Sequence, residues 1–158
     1  MSIHTAQISW RRQGSSFLDG RYSRVHQWTF DGGAVVPASS SPHVVKLPFA
    51  DPACVDPEEA YVAALSSCHM LFFLSIAAQN GFVVDQYTDD AEGRMAPNEG
   101  GQTVIVSVTL HANVMFSGPK TPMDEDVQRL HHQAHASCFL ANSVKTDVRV
   151  AGSWTHAA

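Results

Sequence analysis

Between Asp56 and Gly81 the chain reads DPEEAYVAALSSCHMLFFLSIAAQNG, more than twenty residues without a basic side chain. Both ends carry helix signals. Asp56 can cap the first free N–H groups, Pro57 suits the first helical position, and Glu58 and Glu59 put negative charge where the helix dipole favours it. Asn80-Gly81 tolerates the left-handed backbone on which helices stop. The pattern predicts one long helix, apolar on nearly every face. Such a helix is either a membrane span or the buried axis of a domain.

The run from Ala60 to Ala78 is long enough to cross a bilayer. Against a span stand Ser66, Ser67, His69 and Ser75 inside it, the lack of flanking Lys or Arg, and neighbours patterned as soluble sheet. No membrane is expected. In a chain of 158 residues this helix needs cover on all sides, and one small sheet covers one side only. A second copy of the protein is the economical source of the rest, so a homodimer is expected.

With 44% hydrophobic and 16% charged residues, the whole chain, 1–158, reads as a single domain with a real core. Its ten Lys and Arg are scattered and its net charge is −5, which argues against a nucleic-acid partner. The N-terminus MSIHTAQISW shows no secretory pattern, and three irregularly spaced cysteines do not form a secreted disulfide framework. A reducing cytoplasm is the expected compartment.

Around the helix, strand patterns dominate. Ala6, Ile8 and Trp10 alternate within Thr5 to Arg12, Arg24 to Phe30 follows period two, Asp31-Gly32-Gly33 reads as a hairpin turn, and Ala34 to Pro37 as a third strand. His43 to Leu47 is expected as a short extended piece. After the long helix, Phe82 to Met95 reads as one strand, and Gln102 to Phe116 carries Val104, Val106, Val108, Leu110, Ala112, Val114 and Phe116 on one face. Thr121-Pro122 should open a second helix that carries Val127, Leu130, Ala134 and Cys138 inward. Lys145 to Val150 is the last expected strand, with a loose tail. The element order predicts an α+β chain in which antiparallel sheet wraps a long buried central helix.

The chemically informative residues are two cysteines, Cys68 within the first helix and Cys138 near the end of the second. Free Cys usually acts as a small buried hydrophobe, so residue context has to decide. Pro57-Glu58, followed ten residues after the Glu by Cys68 through the small-residue run Ala63-Ala64-Leu65-Ser66-Ser67, resembles the osmotically inducible protein C and organic hydroperoxide resistance (OsmC/Ohr) family. The segment HHQAHASCFLANSVKTDVRV around Cys138 is similar to it as well.

That resemblance implies a thiol-dependent peroxidase that reduces organic hydroperoxides as an intertwined homodimer, with no metal or organic cofactor. It implies Cys68 as the peroxidatic thiol, Cys138 as the resolving thiol, and a dithiol reductant, of lipoyl type or similar. Met70, Phe72 and Phe73 would line the substrate tail. A buried thiol ionises only with a cation near it. The family uses an arginine, held by the glutamate that Glu58 matches. The segment HVVKLPFADPACV before the helix contains none, which leaves Arg24, Arg21 and Lys46, with Arg24 favoured because it opens a strand. The family often has Cys-Pro at the second cysteine, where this chain has Cys138-Phe139. His131, His135 and Cys138 share one helix face at a spacing that metals can use, so an OsmC-like binding or metal-binding protein without enzymatic activity is the alternative.

Overall fold

The Asp56 carboxylate accepts the Glu59 N–H at 2.8 Å, and the Glu59 carboxylate accepts the Asp56 N–H at 3.2 Å. This reciprocal cap starts helix α1, Pro57–Gln79, where the sequence signals place it. At the other end Gly81 adopts φ 76°, and the N–H groups of Gly81 and Phe82 donate back to Ala78 and Ala77. Only a residue without Cβ takes that conformation at no cost. The computed structural model describes residues 1–157, and these divide into a unit from Met1 to Ala60 and a unit that begins at Tyr61.

The first unit holds an antiparallel meander of β1 (Ala6–Ser9), β2 (His26–Phe30) and β3 (Val35–Ala38). The connection from β1 to β2 is ordered by an aromatic cluster in which Trp10, Phe17 and Tyr22 pack pairwise at 4.7 to 6.0 Å between centroids. The extended piece expected at His43 to Leu47 is a turn instead. The Val44 and Val45 N–H groups both donate to the Ser41 carbonyl, which curls the chain there.

The second unit is built on β6 (Thr103–Ser117), whose alternating residues Val108, Leu110, Ala112, Val114 and Phe116 are all buried. On one edge β4 (Val83–Asp89) pairs antiparallel with its C-terminal half and β5 (Glu92–Pro97) with its N-terminal half. On the other edge β7 (Asp147–His156) runs parallel to it. Because Ala112 and Thr109 each pair in both directions, β4 and β5 must lie end to end along the same edge. They are the single strand expected from Phe82 to Met95, broken at Asp90-Ala91 and carried on to Pro97. A run with so few apolar residues has nothing to hold it flat, and a bulge at Asp85 bends it further.

Helix α2 (Asp124–Ser137) begins two residues later than Thr121-Pro122 suggests, because the Asp126 carboxylate caps the Met123 N–H at 3.0 Å. It connects β6 to the parallel β7, so β6, α2 and β7 form a crossover unit. The expected loose tail continues as strand through His156, since each residue from Asp147 onward finds a register partner on β6. A helical turn at Ala141–Ser143 separates α2 from β7.

The core has two centres. Phe73 and Ala77 of α1 pack with Phe82, Val114 and Phe116 and with Val127, Leu130 and Ala134 of α2; Leu65 packs with Val108 and Leu110. The fold is α+β, as the element order predicts. Helix α1 has the length and apolarity of a membrane span, but Leu65, His69, Phe73 and Ala77 are buried as a core row. Leu71 on another face is 61% exposed.

Candidate active site

Cys68 lies mid-way along α1 and is half-buried, whereas Cys138 is the C-terminal cap of α2 and 1% exposed. Their sulfurs are 2.8 Å apart, both free thiols. Two sulfurs this close lie inside ordinary non-bonded contact and within easy reach of the ~2.05 Å of a disulfide. Two further interactions fix Cys138. Its N–H donates to the Ala134 carbonyl at 2.9 Å, and the Ala141 N–H donates to its sulfur at 3.4 Å. Burial, followed by the hydrogen bond to Cys68, pushes the Cys138 thiol up. A thiol that holds its proton serves as donor, so the hydrogen bond runs from Cys138 to the Cys68 sulfur.

The other residues singled out by sequence are distributed unevenly. Phe72, one helical turn after Cys68, meets Phe139 edge to face at 5.0 Å between centroids. Met70 is half-buried. Phe73 is fully buried against Tyr87, Phe116 and His131, and so belongs to the core rather than to an accessible wall. Within the first unit, Arg24 donates through Nη1 to the Gly20 and Tyr22 carbonyls at 2.6 and 2.5 Å, and its guanidinium lies over the Tyr22 ring. Arg21 and Lys46 are exposed. Cys54 sits in a turn, its thiol pushed up by burial and by Asp51.

The histidine face of α2 does not gather into a ligand set. Cys138 points to Cys68, and His131 points to His69, with Nδ1 and Nε2 3.0 Å apart and the rings stacked. Among the described residues no group of three or more His, Cys, Asp or Glu is arranged to hold a metal ion. A cavity of about 510 Å³ between α2 and β7 is lined in part by His131, His132 and His135, but neither cysteine reaches it.

The His69–His131 pair was not legible in sequence, since the residues lie 62 positions apart. Burial lowers both to about 4, and for His69 the neighbouring His131 and His135 add to the effect. The folded protein therefore holds both neutral at pH 6, where an unfolded chain binds protons on both. Stability should fall as pH drops from about 6.5 to about 4, at up to ~1.4 kcal/mol per pH unit for each imidazole. Chemical denaturation across this window checks it. His69→Gln should flatten the slope, and an unchanged slope would place the acid sensitivity elsewhere.

The α+β fold thus brings two free thiols, Cys68 and Cys138, to within 2.8 Å of each other. The sequence signature of the OsmC-like protein family matches residues 50–151, which include Glu58, Cys68 and Cys138 but not Arg24. The chain belongs to the OsmC-like family. It is 50% identical, over 96% of its length and 99% of the other, to an OsmC-like protein of unknown function from Vibrio cholerae O1 biovar eltor, with a TM-score of 0.94. An organic hydroperoxide resistance protein from Elizabethkingia anophelis matches at 18% identity and TM-score 0.69, covering 99% of this chain and 98% of that one. The organic hydroperoxide resistance protein OhrB of Bacillus subtilis matches at 21% identity and TM-score 0.60, covering 96% and 98%. No curated protein matches.

Proposed function

We propose that the protein is a cysteine-based peroxidase that reduces organic hydroperoxides, and the observation carrying this reading is the 2.8 Å separation of the Cys68 and Cys138 sulfurs. The Cys68 thiolate attacks the terminal oxygen of ROOH and the O–O bond breaks. An alkoxide leaves and is protonated to the alcohol, while Cys68 becomes a sulfenic acid. The Cys138 thiol then attacks that sulfur, forming a disulfide and releasing water. A dithiol reductant restores both thiols by exchange. Cys68 takes the first role because Cys138 is the more buried sulfur and holds its proton.

Arg24 is the cation proposed to favour the Cys68 thiolate and Glu58 the carboxylate that orients it. The names of the Elizabethkingia and Bacillus proteins support the hydroperoxide as substrate class. A homodimer completes the reading, supported by the exposed Leu71 on the apolar helix, and the cytoplasm is the proposed compartment. No metal or organic cofactor takes part in the steps above.

The test combines substrate and product. Cumene hydroperoxide should be consumed with a dithiol as reductant. One equivalent without reductant should remove two thiols per chain, linked as Cys68–Cys138 in peptide mapping, and the protein should sediment as a dimer. A Cys54 linkage, or no consumption, would overturn the assignment.

A further inference from the structure

Each of the two cysteines has a phenylalanine near it, placed by different means. Phe72 sits beside Cys68 because four residues on a helix make one turn. Phe139 sits beside Cys138 because it follows it in sequence. The rings meet at 90°, and Phe139 is 73% exposed. Large apolar side chains at the end of a helix normally fold back onto the core, as Phe82 does after α1. Phe139 does not.

Its backbone is nevertheless tightly held. The Asn142 side chain donates to the Ala136 and Cys138 carbonyls at 3.0 and 2.9 Å, and the Ser143 hydroxyl donates to the Phe139 carbonyl at 2.7 Å. The ring is thus presented to solvent from a fixed main chain, with its neighbour Leu140 38% exposed. Exposure alone would make Phe139 an ordinary surface residue. Its edge-to-face contact with the residue one turn from Cys68 makes it a wall of the same site.

We infer that Phe139 is the specificity-determining residue of the thiol site, and that with Phe72 it selects hydroperoxides carrying an aromatic ring next to the peroxide group. Two rings at right angles offer a third ring both a face and an edge, the arrangements in which aromatic pairs gain energy beyond the area they bury. A branched alkyl group gains area only. The inference deepens the peroxidase reading and rests on it for the turnover test, though not for the binding test.

The test uses the full chain. The ratio of kcat/KM for cumene hydroperoxide to that for tert-butyl hydroperoxide should fall about three- to tenfold in Phe139→Ala, chiefly through KM of the aryl substrate. Phe139→Leu, which keeps an apolar side chain but no ring, should show the same fall. Phe139→Tyr should keep the wild-type ratio. A ratio unchanged in Phe139→Ala would overturn the inference, as would a loss that Leu restores. In parallel, the unreactive alcohol 2-phenyl-2-propanol should bind the reduced protein, shift the ring protons of Phe72 and Phe139, and bind several-fold more weakly to Phe139→Ala. Ring-dependent binding without turnover of either hydroperoxide would uphold the aryl site and overturn the peroxidase reading. Binding indifferent to Phe139 overturns the aryl site itself.

Discussion

Replacing Cys68 by Ser is expected to reduce hydroperoxide consumption on the order of 10³-fold or more, to the uncatalysed background, because an alcohol at neutral pH does not supply the nucleophile. Replacing Cys138 should act differently. With Cys68 intact, Cys138→Ser can still break one O–O bond per chain. It should therefore release one equivalent of alcohol in a burst and then stop, with Cys68 left as a sulfenic acid that dimedone traps. The contrast follows from the direction of the sulfur–sulfur contact, in which the buried Cys138 donates and Cys68 accepts. A burst from Cys68→Ser and none from Cys138→Ser would reverse the two roles.

The largest expected effect on stability comes from Gly152→Ala. Gly152 stands opposite Ala112 in the parallel pairing of β6 and β7, and a Cβ there would come within 1.9 Å of the Ala112 carbonyl oxygen and 2.9 Å of its nitrogen. Neither strand can retreat cheaply. Ala112 is itself fully buried and is held on its other edge by Asp89 of β4. The strands must part locally, at a cost of about 3 kcal/mol. The expected fall in Tm is roughly 10 °C. Gly93→Ala is the useful comparison, because its Cβ would clash with a side-chain methyl, the Val62 Cγ2 at 2.5 Å, and not with backbone. Equal losses for the two variants would contradict the close β6–β7 approach.

Much of this structure could be read from the chain, and the reason differs from place to place. The limits of α1 followed from Asp56, Pro57 and Gly81, because caps are local chemistry. The buried face of β6 followed from strict alternation between Val108 and Phe116, but not for Val104 and Val106, because a register shift against β5 turns Ile105 to the core instead. The break at Asp90-Ala91 did not, because it depends on how two short pieces share one neighbour. Nor did the strand beyond Val150, where Ala151, Gly152 and Ser153 have weak strand preference and only pairing with β6 holds them. At the site, both cysteines stood out by residue type and context. Phe139 was visible only as the residue after Cys138, and the structure gave it a partner. The histidines looked like a metal-binding stripe because spacing along α2 cannot show that His131 turns to a residue of another helix.

Cys68 and Cys138 are 70 positions apart in the chain, yet their sulfurs touch. A covalent link between them would close a long loop through β4, β5, β6 and α2, and loop-closure entropy for that length is about 4 kcal/mol. On the peroxidase reading, each turnover would then tighten and release the molecule. Starved of reductant, the protein would accumulate in its most durable form. Well supplied, it would spend its time in the form that unfolds and is degraded more readily, so that its abundance would follow the demand placed on it.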